Sequence, residues 1–185
     1  MKRNTNPSWP VALCGMVVAL SVVLMLLGAI LPIAMFIAPA AGGLLIGAVA
    51  EECGRRYAWI TYGAASVLGV LFVPDKETAL FFVVLLGYYP LVKPRLDRLR
   101  PAPVRLAAKL LLCNGSVLAL YGVLLVLFPA GQVADEVQEA AFVLAAVTLL
   151  IGNVAFLLFD RALVNLLKVY RLVWQPRLHK MLGKR

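Results

Sequence analysis

Between Pro10 and Glu51 lie forty residues without a single charged side chain. One bilayer crossing needs about 20 predominantly apolar residues, so this stretch has the length of two crossings. Pro32 and Pro39 mark a break near its middle, because proline lacks the N–H that a helix interior uses. A core helix of a water-soluble protein shows polar positions every turn or so, a pattern this stretch lacks. The rest of the chain repeats the theme. Of its 185 residues 63% are hydrophobic and the mean hydropathy is +0.92, against about 45–50% apolar in soluble domains.

These runs predict an all-α polytopic membrane bundle that forms one domain over residues 1–185, with no separate soluble module. About six transmembrane helices are expected, at 11–31, 39–53, 57–73, 78–92, 105–128 and 137–159. Gly54 stops the second helix, and Thr78 is a candidate N-cap for the fourth, which should end at Tyr89-Pro90. A C-terminal amphipathic helix is expected over 160–175. There Arg161, Asn165, Lys168, Arg171 and Gln175 share one stripe, while Leu163, Leu166, Leu167, Tyr170 and Trp174 share the other, as in a helix resting on a membrane surface. Lys2 and Arg3 with Ala38-Pro39-Ala40 loosely mimic a cleaved signal. However, the apolar stretch from Val11 to Ile37 far exceeds a signal core of about 7–15 residues, so the first helix is expected to stay.

Charge placement predicts orientation. With both termini in the cytoplasm, every Lys and Arg except Lys76 falls on the cytoplasmic side: Lys2 and Arg3, Arg55 and Arg56, the six from Lys93 to Lys109, and all those after Phe159. Asp75, Glu77, Asp135, Glu136 and Glu139 fall outside. This is the positive-inside asymmetry of multi-pass membrane proteins, and Trp9, Trp59 and Trp174 all land at the inner interface. The net charge of +9 and pI near 9.8 therefore read as membrane orientation. A nucleic-acid partner is not expected, since no basic patch sits on a soluble module. The basic segment from Lys93 to Lys109 also suits anionic lipid headgroups or an acidic partner surface. Glu51 and Glu52 are expected to pair with Arg55 and Arg56.

Ala12, Gly15 and Ala19, at offsets of three and four, form a smooth strip on the first helix. Small residues let helix backbones approach closely in lipid, so the strip is either an internal contact or a docking face for a partner subunit. The second helix is richer still in small residues and must pack tightly, most simply on helices one and three. Asn114 and Asn153 are the strongly polar side chains deep in their helices, at depths of roughly 13 Å and 10 Å from the same face at about 1.5 Å per residue. A hydrogen bond between them across helices five and six is expected. Asp75, Lys76 and Glu77, with Tyr121, are weak candidates for lining an outward substrate pocket, the plainer reading being solvated loop ends.

Catalysis is not expected, and neither is a cofactor. The one histidine, His179, lies in the tail, and Cys14, Cys53 and Cys113 have no paired spacing. No nucleotide loop and no intramembrane carboxylate cluster occurs, and nothing clusters as a metal site.

Six helices in under 200 residues, with both ends inside and a small-residue strip opening the first helix, resemble the S component of energy-coupling factor transporters. That family's Ala-x-x-x-Ala signature is matched here only as Gly15-x-x-x-Ala19, since Met16 stands four residues after Ala12. Val73-Pro-Asp-Lys-Glu77 and Gly87-Tyr-Tyr-Pro90 with Lys93 also resemble small bacterial membrane proteins of the same layout. The S-component resemblance implies a solute-binding subunit in the bacterial inner membrane that captures a vitamin-like small molecule. It also implies partners in a transmembrane coupling subunit and the ATPases of a shared motor. The alternative is a non-transporting structural or regulatory membrane protein that binds a partner.

Overall fold

The computed structural model describes residues 8–30, 34–127, 138–170 and 172. Every element among them is helical. The order is α1 (Ser8–Ile30), α2 (Ala34–Glu52), α3 (Arg55–Phe72), α4 (Lys76–Phe81), a π-helical turn (Phe82–Leu86), α5 (Tyr89–Leu96), α6 (Ala102–Leu127) and α7 (Gln138–Val169). Among the described residues five helical segments are long and apolar enough to cross a membrane: Ser8–Ile30, Ala34–Glu52, Lys76–Leu96, Ala102–Leu120 and Leu149–Val169. The helices group into two compact units, Met1–Pro94 with Ala162–Arg185, and Arg95–Arg161.

In the first unit α1 packs on α2 and α3, and α2 packs on α3 and on the π turn. The seam follows helical periodicity. On α1, Cys14, Val17, Val18, Ser21, Met25 and Gly28 are buried, while α3 turns in Ala58, Thr61, Ala65, Ser66 and Gly69. Between Ala38 and Gly54 no residue of α2 is exposed, so this is the central helix. Its glycines make that position possible. A Cβ on Gly43 would lie 2.2 Å from the carbonyl oxygen of Leu86, and one on Gly42 would meet the Phe82 ring at 3.1 Å. The small residues of α2 therefore admit the π turn as well as helices one and three, the neighbours expected from sequence.

Several boundaries differ from expectation for local reasons. The second helix starts at Ala34, so Pro39 lies inside it. This costs the backbone bond to the carbonyl of Met35, but the early turn is pinned to α1, where a Cβ on Gly28 would come within 2.5 Å of Ala38 Cβ and 3.1 Å of Ala34 O. The α2–α3 hairpin is only Cys53-Gly54 long, and Gly54 adopts φ +90°, a conformation glycine takes without strain. The fourth segment is capped by Asp75, not Thr78. The Asp75 carboxylate accepts from the backbone N–H of Glu77 (3.1 Å) and Thr78 (3.3 Å) and from the Thr78 hydroxyl. Nor does this segment end at Tyr89-Pro90: Pro90 is the second residue of α5, a first-turn position that needs no N–H.

Mid-segment, Gly87 N–H donates to Phe82 O at 2.7 Å, the i→i+5 pattern of a π turn. The Tyr62 hydroxyl of α3 donates to Val83 O at 2.6 Å, satisfying a carbonyl of the irregular turn. Tyr62→Phe should therefore lower stability in detergent by about 1 kcal/mol, the cost of leaving a part-buried carbonyl without its donor. An unchanged thermal melt for this variant would show that the bond contributes nothing.

The amphipathic segment predicted over 160–175 is not a separate helix. No glycine or proline interrupts residues 153–169, and α7 continues through Asp160 to Val169 without a break. Its predicted end beyond residue 172, with Trp174 and His179, lies outside the described residues, as do Lys2, Arg3, Pro32, Gln132, Asp135 and Glu136.

Candidate functional site

The periodicity that buries Cys14, Val18, Ser21 and Met25 turns positions 12, 15 and 19 of α1 away from the first unit's core. Ala12, Gly15 and Ala19 are all exposed, and a Cβ built on Gly15 meets nothing within 4 Å. Flanking them, Val11 and Met16 are 62% and 69% exposed. The strip is thus a shallow, apolar surface at which a second helix can approach the α1 backbone closely.

The acidic turn is occupied by local structure. Asp75 caps α4 as described above. Lys76 reaches back to the last turn of α3, where its Nζ donates to Val70 O (2.9 Å) and Val73 O (3.0 Å), a favourable place for a cation because helix C-terminal carbonyls carry partial negative charge. Glu77 sits in the first turn of α4, where a carboxylate suits the opposite end of the dipole. Tyr121 lies on α6.

Both asparagines lie in the second unit. Asn114 is half-buried, and Asn153 Oδ1 is buried with no hydrogen-bond partner. No donor therefore reaches Asn153 Oδ1 among the described residues. Matching depths along two helices say nothing about rotation around each axis, which decides whether two side chains meet.

The second unit instead holds a polar cluster that sequence reasoning did not assemble. Lys109 of α6 places Nζ 2.7 Å from Asp97 Oδ1 and 2.8 Å from Asp160 Oδ2. The exposures are 7% for the Lys109 side chain, 39% for Asp97 and 14% for Asp160. One ammonium thus ties the turn after α5 and the last third of α7 to the first third of α6. Counting Lys109 with the basic segment obscured this role. The usable signal was Asp160 itself, a lone carboxylate inside an apolar run that needs a buried cation.

In the first unit, Arg55 donates from Nη2 to Leu91 O at 2.8 Å. Glu52 accepts from the Tyr170 hydroxyl at 3.2 Å. Burial, followed by the neighbouring charge of Glu52, pushes the Tyr170 phenol above its ordinary range. Lys93, also buried, holds its Nζ 5.7 Å from the centroid of the Tyr89 ring, a cation–π distance. Among the described residues no three or more His, Cys, Asp or Glu are grouped to hold a metal ion.

Architecture and sites define an all-helical chain with several segments suited to crossing a bilayer. No family model, curated protein or solved structure matches it.

Proposed function

We propose that the chain is an integral membrane subunit that docks another transmembrane protein along α1, in the way an S component of an energy-coupling factor transporter presents itself to its coupling subunit. The observation that carries this reading is the outward strip of Ala12, Gly15 and Ala19, where nothing approaches Gly15. In lipid, apolar area gives no driving force for association, so close backbone approach at small residues is what makes a helix sticky. The solute under this reading is a vitamin-like small molecule, and the partners are a coupling subunit with its ATPases.

The test is Gly15→Leu. It adds four carbons where two backbones should nearly touch, yet fills open space in the isolated chain. Thermal stability in detergent should stay within about 0.5 kcal/mol of the parent, while co-purification of a membrane partner should be lost. A destabilised variant, or one that keeps its partner, would count against docking there.

One observation favours the alternative of a non-transporting structural or regulatory subunit. Asp75 and Lys76, the candidates for an outward substrate pocket, are engaged in capping α4 and α3. Both readings share the docking face, and solute binding to the purified chain separates them.

The same proposal places both termini in the cytoplasm, on the basic asymmetry of the sequence. Single cysteines near Lys76 and Gln132 should react with an impermeant thiol reagent in intact cells, and those near Arg98 and Lys180 should not. Labelling at Arg98 from outside would reverse the orientation.

A further inference from the structure

We propose that the turn joining α5 to α6 is a binding surface for anionic phospholipid, with the guanidinium groups of Arg95, Arg98, Arg100 and Arg105 holding the lipid phosphate. This rests on the membrane reading above but not on docking along α1. Four arginines fall within eleven residues, and all four are exposed. Among the described residues none of their side chains has a hydrogen bond, ion pair or ring contact. Unpaired cations crowded this closely repel one another, and a shared anion relieves that repulsion.

The carboxylate in their midst does not supply that anion. Asp97 is held by Lys109, which Asp160 shares, so the two carboxylates leave one negative charge against the four guanidinium groups and the turn stays net cationic. Residue type matters as well. All four exposed cations are arginine, whose planar fork donates two parallel hydrogen bonds to phosphate, whereas an ammonium acts as a point charge.

Position selects a lipid over an acidic protein. The segments on either side, Lys76–Leu96 and Ala102–Leu120, are long and apolar enough to cross a membrane, and only five residues separate them. A turn that short emerges level with the headgroups and does not rise to meet a soluble surface. Leu99, Val104 and Leu106, interleaved with the arginines, are also exposed. They suit the acyl boundary while the arginines extend to the phosphate layer.

The bland reading is that these charges only orient the chain during insertion, which requires no lipid preference and no distinction between arginine and lysine. Melting the purified full-length chain in a non-ionic detergent decides between the two. Added phosphatidylglycerol, at about 100 times its dissociation constant, should raise the melting temperature by about 5–10 °C in a chain of this size. Phosphatidylcholine and inorganic phosphate at the same concentration should give less than a third of that shift. Most of the phosphatidylglycerol shift should vanish as salt rises from about 0.01 M to about 1 M, where the screening length falls from about 30 Å to about 3 Å. The variant R98Q/R100Q/R105Q should lose the shift, and R98K/R100K/R105K should recover only part of it.

Equal shifts with phosphatidylcholine, or a shift that salt leaves unchanged, would overturn the proposal. So would full retention in the glutamine or the lysine variant. An equal shift with inorganic phosphate would make this a free-phosphate site and overturn the lipid assignment. If the triple glutamine variant does not fold, the lipid comparison and salt dependence of the parent chain decide by themselves. Failure here leaves docking along α1 untouched, because Gly15→Leu reads that separately.

Discussion

Gly43→Ala should destabilise the chain more than any other single-methyl addition to its helices. The new Cβ would lie 2.2 Å from Leu86 O and 3.0 Å from Leu86 C, and both atoms are backbone, so no side-chain rotation relieves the clash. The central helix and the π turn would have to separate, which also loosens Gly42 against the Phe82 ring. Overpacking of this kind costs typically 1–3 kcal/mol and sometimes more, while replacing a helical glycine with alanine returns about 1 kcal/mol of propensity. With the clash at the upper end of that range, a net loss of about 2 kcal/mol or more is expected, read as a fall of about 4–8 °C in the melting temperature. Gly15→Ala and Gly63→Ala are the controls. Nothing lies within 4 Å of a Cβ at either position, so both should be neutral or slightly stabilising. If Gly43→Ala melts with these controls, α2 does not pack on the π turn as described.

Lys109→Met should be the most damaging change of a charged side chain. It keeps most of the side-chain volume but removes the ammonium from beside Asp160, which is 14% exposed. Breaking a buried ion pair costs about 3–5 kcal/mol because an uncompensated charge remains. Asp97 is 39% exposed, and water screens its share, so about 2–3 kcal/mol is expected. Two comparisons isolate the cause. Adding Asp160→Asn to Lys109→Met should restore at least half of the loss, since the stranded charge is gone. Asp160→Asn alone should cost more than Asp97→Asn alone, following their exposure. A double variant no better than Lys109→Met would mean that the lysine acts through packing alone.

Both residues show why so much of the site escaped the sequence. The abundance of small residues in α2 required a close neighbour, and that much was legible. Which neighbour was not, because the closest approach comes from the π turn, an irregular segment that apolar periodicity does not announce. Lys109 reads as one more cation in a basic segment until the fold brings in Asp97, twelve residues earlier, and Asp160, fifty-one residues later. The outward placement of Gly15 was half-legible: the sequence defines a strip of small residues, but only the packing of the opposite stripe on α2 and α3 says that the strip faces away from the core.

Helical class follows from the sequence alone, as does the rough placement of most membrane-length segments, although α3 is not among the five and the last lies at Leu149–Val169. Long uncharged runs cannot satisfy their backbone polar groups in lipid except as helices, and charged or proline-containing turns separate them. Two things waited for tertiary structure: the start of α2 ahead of Pro39 and the passage of α7 through Asp160. Each turns on a contact made by a distant part of the chain. Gly28 pins the turn before Pro39, and Lys109 compensates the carboxylate inside α7. Spacing along a helix records depth and face, and only the partner helix decides what that face meets.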